Sequence, residues 1–109
     1  MLFRSYVTRT DAADLDGWTA LTGLLMKEGN YEQALHFLRE AYVHHPEEAA
    51  IKLKIAVCQY KLGKRNLAGR FLSEALEKDS DLITEFKYYL PEESWGKDVL
   101  RIVRKQGSD

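Results

Sequence analysis

Two stretches of this chain are versions of one another at an offset of 34 residues. Residues 27–41, KEGNYEQALHFLREA, align with residues 61–75, KLGKRNLAGRFLSEA. Seven of the fifteen positions are identical: Lys27/Lys61, Gly29/Gly63, Ala34/Ala68, Phe37/Phe71, Leu38/Leu72, Glu40/Glu74 and Ala41/Ala75. A period of this length is that of a stacked helix–turn–helix unit, which cannot bury its apolar face alone and needs a neighbour to cover it. The repeat therefore restricts the chain to a stack of helical hairpins.

Hydrophobic spacing places the helices independently of the repeat. Residues 17–28 carry Trp18, Leu21, Leu24 and Leu25 three and four apart, and Gly29-Asn30 ends the run. Residues 31–44 carry Tyr31, Ala34, Leu35, Phe37, Leu38, Ala41 and Tyr42, with Pro46 just beyond. Residues 48–62 and 65–78 repeat the pattern, joined through Gly63. A fifth helix is expected over 81–90, capped by Ser80 or Asp81 and stopped by Pro91. A sixth is expected from about Ser94 to 105, with the stripe Trp95, Val99, Ile102 and Val103. Arg101, Arg104 and Lys105 would complement the dipole at its end. No segment alternates with period two, so no strand is expected. Short connections make neighbouring helices antiparallel.

With 109 residues, the chain has length for one ordinary domain. It is 45% hydrophobic and 30% charged, a globular composition. Sixteen basic residues against seventeen acidic ones give a net charge of -1, which argues against a nucleic-acid partner. No apolar run is long enough to span a bilayer, and the N-terminus lacks a signal-peptide pattern. With a single cysteine as well, the expected compartment is the cytoplasm, without membrane attachment.

The repeat resembles the tetratricopeptide repeat family, whose pattern is W-x2-L-G-x2-Y, then A-x3-F, then P. Trp18, Leu21, Gly29, Tyr31, Ala34, Leu38, Ala41 and Pro46 follow it in the first unit, with Thr22 in place of glycine and Leu25 in place of tyrosine. The second unit is weaker in its first helix, with Lys52, Ile55, Ala56 and Gln59 at the W, L, G and Y places, and recovers at Gly63, Ala68, Leu72 and Ala75, with Ser80 in place of proline. The resemblance implies an all-α, right-handed stack of antiparallel hairpins, an α-solenoid of about two full repeats plus partial flanks. Residues 1–16 read as a partial unit or N-terminal cap, 17–46 as the first repeat and 47–80 as the second. Residues 81–106 read as a degenerate third unit or C-terminal cap.

The family resemblance also implies binding without catalysis, in a concave groove lined by the first helix of each unit. Carried onto this chain, the groove stripe is Asp16, Thr19, Gly23, Met26 and Lys27, then Ala50, Leu53, Val57, Tyr60 and Lys61. The expected contact residues are Thr19, Met26, Lys27, Leu53, Val57, Tyr60 and Lys61. Their mix of apolar groups, two lysines and a phenol suits a peptide or helix of a protein partner with apolar anchors and an acidic flank. The opposing expectation is that Met26, Leu53 and Val57 are core. An alternative is a structural unit that self-associates, as a homodimer, through stack ends at Phe3, Tyr6, Trp95 and Val99. Another is the regulatory or adaptor portion of a larger multi-repeat protein.

Other constellations are weaker. Six basic residues and no acidic ones fall at Lys52, Lys54, Lys61, Lys64, Arg65 and Arg70 before Glu74 interrupts, and such a run usually forms a solvated face. His36, His44 and His45 lack the spacing of a metal site, so no metal or other cofactor is expected. Cys58 reads as a small buried hydrophobe. Neither a catalytic constellation nor a phosphate-cradling glycine loop is visible, so an enzyme is not expected.

Overall fold

The computed structural model describes residues 15–107, with side chains from Gly17 to Lys105. Within them the chain runs through α1 (Leu15–Lys27), α2 (Tyr31–His44), α3 (Ala49–Lys61), α4 (Arg65–Lys78), α5 (Leu82–Tyr89) and α6 (Lys97–Gly107). A short 3-10 turn, Glu92–Ser94, separates the last two. The described residues contain no strand, and the all-helical repeat expected from the spacing is observed.

The two hairpin turns are built alike. Gly29 and Gly63 have φ of 81° and 86°. This left-handed conformation costs a side-chain-bearing residue energy and suits glycine. After α1, the Gly29 N–H donates to the Met26 carbonyl and the Asn30 N–H to the Leu25 carbonyl, at 3.0 and 2.8 Å. After α3, Gly63 donates to Tyr60 and Lys64 to Gln59, at 3.1 and 2.8 Å. Paired bonds of this pattern form a Schellman motif, which satisfies carbonyls left open at a helix end. Ala34, Ala56 and Ala68 are buried at 0–3% exposure, as expected of small residues that admit a neighbouring helix closely.

Consecutive helices from α1 to α4 pack on one another, α6 packs on α4, and α5 packs mainly on α3. Aromatic pairs mark the seams. Trp18 meets Phe37 at 5.8 Å between ring centres, Tyr42 meets Phe71 at 6.2 Å and Phe86 meets Trp95 at 5.5 Å. Near its middle α4 presents Gly69, where an added Cβ would stand 3.3 Å from Ile102 Cδ1, so the seam with α6 is tight.

At the centre lies α3. Ile51 and every residue from Leu53 to Gln59 are buried. A helix enclosed all round has no polar face to spare, yet this one carries Lys54 and Gln59 inside.

Two expectations fail at the C-terminal end. Trp95 is not on the sixth helix: its backbone is extended (φ -76°, ψ 139°), and α6 begins at Lys97. Its indole N–H donates to the Leu90 carbonyl at 2.7 Å, and its ring lies against Phe86. Asp81 does not cap α5 with its side chain; instead its N–H donates to Asp79 Oδ1 at 3.1 Å.

Candidate interaction groove

The groove positions fall into three groups. Thr19, Lys27 and Lys61 are exposed. Met26, Leu53 and Val57 are core, at 2%, 0% and 0% exposure. Packed against neighbouring helices, they are closed to a partner in this conformation. Tyr60 is half-buried. The side chain of Asp16 lies outside the described residues, as do Phe3 and Tyr6.

What covers the groove is the chain itself. A Cβ on Gly23, a groove position of the first unit, would stand 4.0 Å from the Tyr89 hydroxyl of α5. Lys54 lines a narrow recess with Trp18 and Thr22 of α1, Leu38 and Ala41 of α2, and Ala50 and Ile51 of α3. Its ammonium meets Glu85 of α5 at 2.5 Å. Thus α5 meets α3 at Lys54 and comes near α1 at Gly23. Burial raises the Tyr89 phenol pKa, and the nearby Glu85 carboxylate raises it further.

The segment after α5 is tied down at Tyr60. The phenol donates to the Ser94 carbonyl at 3.3 Å and accepts from the Gly96 N–H at 3.2 Å. Arg65 lies over the Tyr60 ring, 5.0 Å from its centre, and donates two bonds to the Asp98 carboxylate at 3.0 and 3.4 Å. The Arg65 hydrogen bond holds the Asp98 carboxyl below the usual range, and the bond to Asp98 raises the guanidinium. A Cβ on Gly96 would lie 2.0 Å from Arg65 Nη2, so a side chain there would push the guanidinium aside. Tyr60 thus serves the chain's own C-terminal segment.

Most of the basic run forms a solvated face, with Lys61, Lys64, Arg65 and Arg70 exposed, and only Lys54 among the six is buried. Lys52 pairs with Glu74 at 3.4 Å, Lys54 with Glu85, and Arg65 with Asp98. Lys61 lies over the Tyr31 ring at 5.7 Å. Trp95 and Val99, two of the four residues expected at an open stack end, are buried at 8% and 3%.

Cys58 is fully buried and its thiol is pushed up to about 12 by burial, the environment of an inert thiol. His36 lies 3.4 Å from Glu40 along α2. Among the described residues no cluster of histidine, cysteine and carboxylate groups could hold a metal, and no helix is long and apolar enough to cross a membrane.

Sequence reasoning missed the Lys54–Glu85 pair with its neighbour Tyr89, and the separate Arg65–Asp98 pair. The composition of α3 carried the missing signal: Ile51, Leu53, Ile55, Ala56, Val57 and Cys58 leave no polar stripe, which requires cover on every side.

The hairpin stack, its paired glycine turns and its 34-residue period define a helical-repeat protein. The sequence profile of the tetratricopeptide repeat matches residues 25–87, and the chain belongs to that family. No curated protein and no solved structure matches it. Members of the family generally act in protein–protein interaction and are typically not catalysts.

Proposed function

We propose that this chain is a non-catalytic adaptor or scaffold module that holds a peptide or helical segment of a partner protein on its concave face. The observation that supports this most directly is the seat of α5. An amphipathic helix lies along α3 and reaches Gly23 of α1. A surface that takes one helix through apolar contact and an ion pair has the chemistry to take another. The exposed groove residues Thr19, Lys27 and Lys61 would meet the ends of such a segment, and the two lysines favour an acidic flank.

Selection of displayed helical peptides against the whole chain tests this. Enriched peptides should lose at least about tenfold in affinity on the Lys27→Glu/Lys61→Glu variant, a loss worth ~1.4 kcal/mol. The variant should melt as the parent does. Peptides that bind parent and variant equally would refute the groove assignment.

A further inference from the structure

We propose that α5 is a resident stand-in for the ligand, and that the partner is an amphipathic helix that replaces it. That helix would present a carboxylate to Lys54 and, one turn on, an aromatic ring near Gly23 of α1. The proposal rests on the groove reading above and adds the chemistry of the occupant.

Lys54 dictates the carboxylate. It is 5% exposed, and its only ion pair among the described residues is with Glu85. Removing α5 without replacement strands a buried cation, which is strongly unfavourable. A displacing helix must therefore bring its own acid. Tyr89 follows Glu85 by four residues, on the same face of α5, and its hydroxyl reaches Gly23. Phe86, at 1% exposure, is the buried apolar residue of α5 and lies against Trp95.

Length sets α5 apart from the repeats before it. It has eight residues against thirteen or fourteen in α1 to α4, and Pro91 lies two residues beyond its end. Helices this short do not persist without tertiary support. The latch that follows it, Tyr60 to Ser94 and Gly96 with Arg65 to Asp98, is exposed or half-exposed, and such links are weak and screened by salt. While α5 is seated, the affinity of a competitor is reduced by the fraction of molecules with an open groove.

A fluorescently labelled peptide of residues 79–96, DSDLITEFKYYLPEESWG, is the probe, titrated by anisotropy against the full chain. The Glu85→Gln chain, whose resident helix has lost its charge, should bind it at least about tenfold more tightly than the parent does. The same peptide with glutamine at the position of Glu85 should lose that advantage. On peptide addition, amide exchange over residues 82–89 of the chain should quicken while α3 stays protected. Should Glu85→Gln not fold, Asp98→Asn opens the exposed latch and carries the same expectation. Equal binding of parent and variant, indifference to the peptide's carboxylate, or unchanged exchange in α5 would each overturn the proposal. Library peptides that depend on Lys27 and Lys61 yet leave α5 protected would overturn it while leaving the groove reading intact. Binding indifferent to those lysines is the separate failure of that reading.

Discussion

Gly29 and Gly63 stand 34 residues apart and share one backbone state, with φ of 81° and 86° and the same pair of reverse-turn hydrogen bonds. The two hairpins are thus closed by the same device, in which the absence of a side chain matters and no neighbouring group does. An added Cβ meets nothing within 4 Å at either site.

Alanine at either glycine should therefore cost only backbone strain, about 1–2 kcal/mol each. The two costs should add, since the turns share no partner. Urea denaturation of the single and double variants measures both.

Leu53→Ala should destabilise the chain by about 2–5 kcal/mol, as a large-to-small change in a fully packed core does. A surface contact residue would lose a fraction of that. Equilibrium unfolding of the variant thus separates the observed core position from the groove position that the family pattern implies.

The repeat made much of this legible. Helices α2 and α4 begin and end where the spacing places them, because glycine turns before them and the His45-Pro46 and Asp79-Ser80 breaks after them are local signals. Trp95 misled because it precedes Val99 by four residues, a helical interval, although its ring is drawn to Phe86 and its backbone is extended. The groove misled for a nonlocal reason. Leu53 and Val57 occupy family groove positions, yet α3 is packed by α2, α4 and α5 and both residues are fully buried. Pairings such as Lys54 with Glu85, 31 residues apart, leave no periodic trace.

Glu85→Gln should destabilise the fold by about 1–3 kcal/mol, since it leaves the buried Lys54 ammonium without its counter-ion. Lys54→Met combined with Glu85→Gln should recover much of the loss, because an apolar side chain of similar length fills the site without a charge. A double-mutant cycle by chemical denaturation reads the coupling.

The Asp98 carboxyl, lowered chiefly by its bond to Arg65, is stabilising above the unfolded-state aspartate range. That contribution should fade as pH falls through the lower folded-state value. An NMR titration of the Asp98 carboxyl carbon should give a midpoint below the ordinary aspartate value in the parent. In Arg65→Gln the midpoint should move back up.

The Cys58 thiol and the Tyr89 phenol are both raised by burial, the thiol to about 12. Unfolding lets each ionise at lower pH, so stability is intact below their unfolded values and declines as pH rises past the ordinary thiol range. Native protein should resist a thiol reagent at pH 8, with labelling paced by unfolding. Rapid stoichiometric labelling of folded chain would contradict the burial of Cys58.

The enclosure of α3 has a consequence for cooperativity. In a regular solenoid each unit leans only on the next, so ends can fray while the middle holds. Here α2, α4 and α5 all pack on the same central helix, and loss of α3 removes the floor from each of them. The described repeats should melt in a single transition, with the amides of α3 among the last to exchange.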